Sequence, residues 1–196
     1  MSHQLSSEQI REFVIAGHGN LEKVQTLLAD YPELLNIAHV WREDDHETAI
    51  QGAAHVGNVP IAEYLLAQGA PLDICTAAML GRRGDIESFV QADADAIHQT
   101  GAHGIPLLTH AAFSGNLALV VWLVEQGAST GISSALHNAV NRGYTEIVSW
   151  LLANHQPDLS WKNFQGKTAL AVALENQNEI IVQLLQAHGA TAEVTP

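Results

Sequence analysis

Apolar residues recur along this chain in a register that repeats six times. The register is set by six positions, which we call the anchors: Gly19, Gly57, Gly81, Gly115, Gly143 and Gln177. The residues five and eight places after each anchor are apolar in all six copies, and the residue four places before it is alanine or isoleucine. A pattern that recurs every 20–50 residues or so is typical of proteins that stack one small structural unit.

The residues around each anchor predict two short helices. Before the anchor lie small pairs such as Ala53-Ala54 and Ala111-Ala112, which let neighbouring helices approach closely. A glycine at the anchor suits a left-handed residue that ends the first helix. After the anchor, apolar residues at spacings of three and four form one stripe of a second helix. One copy cannot bury that stripe alone, so stability has to come from contacts between neighbouring copies.

Three hexapeptides carry a resemblance to a known family. Residues 134–139 read SALHNA, and residues 168–173 and 48–53 are looser copies of the same motif. The motif resembles the T-P-L-H-x-A opening of the ankyrin repeat, a unit of about 33 residues with a β-turn and two helices. The usual Leu-Leu and Gly-Ala close of that unit appears as Leu65-Leu66 followed by Gly69-Ala70.

The resemblance covers roughly residues 8–190 and implies an all-α ankyrin-repeat solenoid of about six helix-turn-helix repeats with short or partly missing β-hairpins. We expect a single ankyrin-repeat domain over residues 1–196. Its repeats are predicted at residues 6–40, 41–70, 71–98, 99–128, 129–160 and 161–190, followed by a loose tail at 191–196. Ser6 and Gln9 match a capping box at the start of the first helix.

The spacing between anchors predicts hairpins of unequal length. Gly19 and Gly57 are 38 residues apart, whereas Gly57 and Gly81 are only 24 apart. The long spacing predicts a projecting hairpin near residues 36–47, and the short one leaves the third repeat no room for a hairpin. Because a further hairpin is expected near residues 99–106, we predict a notch in this edge of the solenoid.

Composition bears on the partner and the compartment. The chain has 8 Lys and Arg against 21 Asp and Glu, a formal charge of −13. This charge disfavours nucleic acid and anionic membranes and favours a basic partner. No apolar run is long enough to span a membrane, and residues 1–10 lack a signal-peptide pattern. With one cysteine, Cys75, interpreted as a packing residue, we expect a cytoplasmic protein without a cofactor.

In ankyrin proteins, partners usually bind to the hairpin tips and the inner helices. The resemblance therefore implies a non-catalytic module that binds a protein or peptide along its concave groove. Ten residues align with that surface and are predicted to contact the partner: Trp41, Asp44, Asp45, Glu47, His55, Met79, His103, Phe113, Arg142 and Phe164. The aromatic residues among them are the stronger candidates, because binding hot spots favour large, rigid side chains.

The chain has eleven histidines, which raises an alternative hypothesis. The acidic segment 41–47, with His55 and His103, is a candidate site for a divalent metal or a small molecule. The same groups are candidates for a hydrolytic site. This hypothesis predicts that the side chains of Asp44, Asp45, His55 and His103 converge within about 5 Å. The alternative interpretation is that these residues form a solvated loop without a chemical role. No H-E-x-x-H spacing, nucleophile elbow or phosphate-binding loop is present.

Other histidines have structural interpretations. By the family resemblance, His137 is expected to bond to the backbone of a neighbouring hairpin. His18, His155 and His188 lie near predicted helix ends, where we assign them only an interaction with the helix dipole. A third hypothesis, a structural spacer or an oligomer, predicts an apolar face on the outer helices.

Overall fold

Helices dominate residues 5–191, the part of the chain that the computed structural model describes. The twelve α-helices of this part follow one another in pairs. They are α1 (Ser7–Gly17), α2 (Leu21–Asp30), α3 (Ala49–Val56), α4 (Val59–Ala67), α5 (Ile74–Met79), α6 (Arg83–Ala92), α7 (Leu107–Ala112), α8 (Leu117–Glu125), α9 (Ile132–Arg142), α10 (Thr145–Asn154), α11 (Ala169–Glu175) and α12 (Glu179–Ala187). Two strands, β1 (His39–Arg42) and β2 (Asp45–Glu47), form one antiparallel hairpin between α2 and α3.

The helix pairs stack side by side in chain order. The first helices of the pairs, α1, α3, α5, α7, α9 and α11, contact one another in sequence and form an inner layer. Contacts of α2 with α4, and of α10 with α8 and α12, form an outer layer. This arrangement confirms the predicted all-α solenoid of helix-turn-helix repeats.

Small residues allow the inner layer to pack closely. The alanines four places before the anchors, such as Ala53 and Ala111, have no exposed surface. Between α1 and α3 the backbones themselves are in contact, because a Cβ on Gly17 would lie only 2.9 Å from the Cα of Ala49. The large apolar side chains, such as Leu65, fill the space between the two layers.

The anchors end the inner helices as the sequence predicts, with one exception. Gly57, Gly81, Gly115 and Gly143 have φ between 70° and 74°, in the left-handed region. Gln177 occupies the same position of the last repeat and has φ of 54°, although it carries a Cβ. The prediction is wrong for Gly19, since α1 ends at Gly17, its C-cap residue His18 is right-handed, and Gly19 is not left-handed.

The hairpins have the predicted unequal lengths, but they do not form a notch. In the first hairpin His39 pairs with Glu47, and in the third repeat α4 leads into α5 through a short turn without strands. A 3₁₀ turn at Ala102–Gly104, closed by a bridge between Thr100 and Pro106, packs directly against β2. The expected notch is wrong, because the absence of a third hairpin lets this turn fill the gap.

Three local predictions are confirmed. The Oγ atom of Ser6 accepts a hydrogen bond from the Gln9 amide at 3.2 Å, and the Ser6 amide donates to Gln9 Oε1 at 2.9 Å, which completes the capping box. His137 bonds through Nε2 to the Lys167 carbonyl at 3.1 Å. Cys75 is buried, and burial raises the pKa of its thiol to about 12, as expected for a packing residue.

Within residues 5–191, no helix combines the length and the apolar character that a membrane crossing needs. The predicted loose tail, apart from residue 191, lies outside the described residues.

The left-handed conformation of Gln177 generates a stability prediction. Gln177→Gly is expected to raise the free energy of unfolding by about 0.5–1 kcal/mol, because glycine removes the steric cost of a Cβ but adds entropy to the unfolded chain. Gly143→Ala, at φ 74°, makes the opposite change and is expected to lower it by about 1–2 kcal/mol. Urea denaturation measures both values, and a Gln177→Gly protein no more stable than the wild type would contradict the argument.

Candidate functional site

Glu47, the last residue of β2, carries a carboxylate with no exposed surface. A buried charge is costly unless polar groups surround it. Its Oε2 atom accepts a hydrogen bond from the indole Nε1 of Trp41 at 2.8 Å. Its Oε1 atom faces three imidazoles, with His55 Nδ1 at 2.9 Å, His18 Nε2 at 3.4 Å and His103 Nε2 at 3.5 Å. We call His18, Glu47, His55 and His103 the Glu47 cluster.

The members of the Glu47 cluster come from three repeats. His18 follows directly after α1, and its ring lies against Gly52 of α3, where a Cβ would come within 3.0 Å of the ring. His55 lies in the last turn of α3, and its ring is edge-on to those of His18 and His103 at centroid distances of 4.7 and 5.1 Å. His103 belongs to the 3₁₀ turn of the fourth repeat. The cluster thus joins the first, second and fourth repeats.

Hydrogen bonds fix which nitrogen of two imidazoles carries a proton. The Nδ1 atom of His18 lies 3.0 Å from the Val14 carbonyl oxygen, which can only accept, so Nδ1 is the donor. The Nδ1 atom of His103 lies 2.9 Å from Asp45 Oδ2, a carboxylate that is also an acceptor. In a neutral ring the remaining Nε2 then carries a lone pair. Both Nε2 atoms lie within 3.5 Å of Glu47 Oε1, and acceptor atoms this close to one another require a proton or a cation between them.

Asp45 holds His103 in a strained conformation. His103 has φ of 60° and ψ of 17°, which is unfavourable for a residue with a Cβ. The Oδ1 atom of Asp45 accepts from the His103 amide at 3.1 Å, while Oδ2 accepts from its ring and also from Arg42 Nε at 3.2 Å. The two bonds to one carboxylate fix both the backbone and the ring of His103, and its Nε2 then lies 3.5 Å from Glu47 Oε1.

The electrostatics of the cluster favour a negative carboxylate and positive charge beside it. Burial alone would raise the pKa of Glu47, but the imidazoles of His18 and His55 close to its carboxylate outweigh burial and hold the pKa far below its ordinary value. Burial alone would lower the pKa of His18, but Glu47 outweighs it and raises the pKa above the ordinary value. Each group therefore favours the charged form of the other.

One close contact in the cluster is not a directed hydrogen bond. Glu47 Oε1 and His55 Nδ1 are only 2.9 Å apart and both are buried, yet within residues 5–191 neither has a hydrogen-bond partner of acceptable geometry. Together with His18 Nε2, these atoms lie within 4.8 Å of one another. Two imidazole nitrogens and a carboxylate oxygen at such separations have the composition of a transition-metal site.

The structure corrects the metal-binding set that the sequence predicted. Asp44 is exposed at the hairpin tip and is not part of the cluster, and Asp45 bonds to His103 rather than facing His55. Glu47 and His18 take the predicted places of the two aspartates. The repeat register could have predicted that His18 belongs to the cluster. His18 lies one residue before the anchor Gly19, and His55 lies two residues before the next anchor, Gly57. Such positions lie together at the ends of adjacent inner helices.

Three residues predicted to contact a partner are buried instead. Met79 and Glu47 have no exposed surface, and Asp45 is 8% exposed. The prediction that they face a partner is wrong, because Met79 packs into the core of the first repeats while the two carboxylates face inward to the imidazoles. His55, with 13% of its side chain exposed, is largely occupied by the same cluster.

Arg142 closes part of the inner face. Its Nη2 atom donates to the Val56 and Gly57 carbonyls at 2.8 and 3.0 Å, and its guanidinium lies 5.2 Å from the centre of the Phe113 ring. The guanidinium thereby satisfies carbonyls at the C-terminus of α3, where a positive charge is favourable. Arg142 and Phe113, both predicted to contact a partner, thus already contact one another across the inner layer.

Phe164 is the most exposed of the predicted contact residues, at 97%. It lies at the tip of the hairpin between α10 and α11, which is closed by a bridge between Lys162 and Thr168. The Asn163 side chain accepts from the amides of Gln165 and Lys167 at 2.9 and 3.0 Å and so fixes the tip. Trp41 is 36% exposed in β1 of the first hairpin, and both hairpins therefore offer aromatic surface.

Comparison with family models identifies the repeats. The model described as ankyrin repeats (3 copies) matches residues 106–195, and the model described as ankyrin repeat matches residues 45–77. The chain belongs to the ankyrin repeat family. Ankyrin repeats are generally protein–protein interaction modules, and proteins built from them are typically non-catalytic scaffolds. A search of curated proteins found no match to this chain.

His110 lies beneath the 3₁₀ turn and takes no part in the Glu47 cluster. It is 1% exposed, and its Nδ1 donates to the Pro106 carbonyl at 3.1 Å. Burial, the largest influence, lowers the pKa of His110 to about 4. The ring is therefore neutral in the folded protein at neutral pH.

The buried neutral His110 predicts a loss of stability in mild acid. Between pH 6.5 and 4 the unfolded chain binds this proton and the folded chain does not, so stability falls as the pH drops through this window. From pH 7 to pH 5 His110 is expected to contribute a loss of about 2 kcal/mol. Between pH 7 and pH 5, urea denaturation should therefore show that the free energy of unfolding of His110→Leu falls by about 2 kcal/mol less than that of the wild type. The exposed His98→Gln should behave as the wild type, and an equal loss in His110→Leu would contradict the assignment.

Proposed function

We propose that this protein is a non-catalytic module that binds a protein or peptide partner, and that the tip of the sixth-repeat hairpin is the main contact. The observation that carries the proposal is the exposure of Phe164, 97% of whose surface is open to solvent. A single exposed apolar residue is common on protein surfaces. What supports a binding role here is its position on a tip that side-chain and backbone hydrogen bonds hold rigid.

Rigidity of the tip favours binding, because an ordered anchor loses little conformational entropy in a complex. The Gly166 amide donates to the Asn163 carbonyl at 2.8 Å, and the Asn163 amide donates to that of Lys167 at 3.0 Å. At the base of the hairpin, the Trp161 ring is edge-on to His137 at a centroid distance of 5.4 Å and remains 38% exposed. Trp161 and Phe164 thus give one hairpin two aromatic side chains of the kind that dominates binding energy.

Contacts already present on the inner face also favour the sixth-repeat hairpin as the binding surface. Arg142 spans from α9 to the end of α3 and covers Phe113, so a partner has to displace these contacts to use this part of the groove. The first hairpin remains available as a second contact, with Trp41 and Asp44 exposed and Val40 52% exposed. Contacts at the tips of separate hairpins are consistent with a partner that lies along the edge of the solenoid.

The distribution of charge supports a basic partner. Five basic side chains form ion pairs with carboxylates of this chain, and Arg142 is bonded to carbonyls. The pairs are Lys23–Glu12, Arg42–Asp45, Arg82–Glu63, Arg83–Glu87 and Lys167–Glu175. With 21 acidic residues against 8 basic ones, this pairing leaves an excess of carboxylates to attract positive charge. We place the protein in the cytoplasm, where the single thiol of Cys75 stays reduced.

Phe164→Ala tests the proposal. The partner is recovered with the untagged wild-type protein immobilised on beads, and its affinity for each variant is measured by titration. Phe164→Ala is expected to weaken binding at least tenfold, as for a hot spot worth about 1.4 kcal/mol or more. Its free energy of unfolding should change by less than about 0.5 kcal/mol, because the side chain supports no part of the core. For a basic partner, the affinity should also fall as salt concentration rises.

Ile180→Ala is the matched control. Ile180 lies on the outer helix α12, is 62% exposed and also loses exposed apolar surface on truncation. It should bind like the wild type. Undiminished binding by both Phe164→Ala and Trp161→Ala would remove the sixth-repeat hairpin as the contact surface.

A further inference from the structure

We propose that His18, Glu47 and His55 bind one divalent cation of the zinc type, and that His103 completes the site as a fourth ligand. The site would be distinct from the hairpin surface proposed for the partner. It joins the first, second and fourth repeats through side chains that meet at a single carboxylate oxygen.

The separations of the donor atoms fit a tetrahedral ion. Ligands at 2.0–2.1 Å from zinc and at tetrahedral angles lie about 3.3 Å from one another. Around Glu47 Oε1 the nitrogens of His55, His18 and His103 lie at 2.9, 3.4 and 3.5 Å. The donors of His18, Glu47 and His55 lie within 4.8 Å of one another, so small side-chain rotations bring them to coordination distance.

The lack of directed hydrogen bonds at Glu47 Oε1 favours a cation over a network of shared protons. The Nε2 atoms of His18 and His103 lie 3.4 and 3.5 Å from this oxygen, while their Nδ1 atoms donate elsewhere. Shared protons would give directed hydrogen bonds, yet the shortest contact, between His55 Nδ1 and Glu47 Oε1, lacks that geometry. Three imidazole nitrogens close to one carboxylate oxygen, with no directed hydrogen bond to it, supply the donor atoms that a metal ion of the zinc type requires.

The groups behind the ligands resemble the supports of metal sites. A metal-bound histidine usually donates its second ring nitrogen to a carbonyl or a carboxylate, which fixes the ring. His18 donates to the Val14 carbonyl, and His103 donates to Asp45. The second oxygen of Glu47 is held by Trp41. Three of the four proposed ligands therefore have a partner that orients them without occupying the donor atom.

One side of the site is open to solvent at His18. The His18 side chain is 29% exposed, and it also lines an open pocket of about 300 Å³ with Val56, Asn58 and Arg142. The carboxylate itself is enclosed, which is the arrangement of a site that holds its ion rather than presenting it to a substrate. Four protein ligands leave no open position, so the geometry points to a structural role that clamps the first hairpin between the inner helices.

Zinc titration of the wild-type protein tests the site. The chain is produced without a polyhistidine tag, stripped with a chelator and titrated calorimetrically with ZnCl₂. One Zn²⁺ per chain is expected, with a Kd of about 1 µM or tighter. At a hundredfold excess over Kd the melting temperature should rise by roughly 5–10 °C. A Kd weaker than this, or no rise in melting temperature, overturns the proposal.

Co²⁺ binding tests the coordination number. In the wild-type protein Co²⁺ should give the intense visible absorption of a four-coordinate ion, and the weak spectrum of a six-coordinate ion counts against the proposed site.

Variants assign the ligands. His18→Gln and Glu47→Gln are each expected to weaken Zn²⁺ binding at least a hundredfold, and Asp45→Asn should weaken it about 10- to 100-fold because it releases the His103 ring. His46→Gln is the matched control, since it removes an exposed imidazole next to Glu47 and should leave affinity unchanged. Loss of binding in His46→Gln, or full affinity in His18→Gln, overturns the assignment. If Glu47→Gln does not fold, the Zn²⁺ affinity of His18→Gln and the Co²⁺ spectrum of the wild-type protein decide whether the ion binds at this cluster.

Discussion

The dependence of every repeat on its neighbours is the constraint from which the other features of this protein follow. A pair of helices with one apolar stripe cannot bury that stripe alone, so each pair packs against the next. The inner helices meet through alanines and, at Gly17, through bare backbone. Such close approach places the ends of successive inner helices side by side. It is this packing that brings His18, at the end of α1, into contact with His55, near the end of α3.

The most informative chemistry lies where the repeat pattern is broken. The third repeat has no hairpin, and the turn at Ala102–Gly104 occupies the space that a hairpin would take. His103 thereby reaches the carboxylate of Glu47, two repeats away in the chain. A regular repeat would place a hairpin there and keep these groups apart. The same irregularity leaves the first hairpin and the sixth-repeat hairpin as the projecting parts of this edge, each with an exposed aromatic residue.

The two candidate sites make different use of polar and apolar groups. At the sixth-repeat hairpin the apolar ring of Phe164 is exposed to water, and a partner that covers this ring gains binding energy from it. At the Glu47 cluster a charge is taken out of water, and it is stable only because Trp41 and the imidazoles compensate it. Fold alone assigns neither role, since one architecture carries many functions. Exposure of Phe164 supports the first role, and the positions of the donor atoms support the second.

The sequence alone determined the features that depend on nearby residues and on the repeat register. It predicted the helix pairs, the left-handed anchors from Gly57 onward, the capping box at Ser6 and the missing third hairpin, because each depends on short-range pattern. Only the tertiary structure decided which polar groups are buried. Glu47 belongs to an acidic segment that reads as a solvated loop, and Met79 aligns with groove positions, yet both are inside. Burial depends on what the neighbouring repeats bring against a residue, and that information is absent from its local sequence.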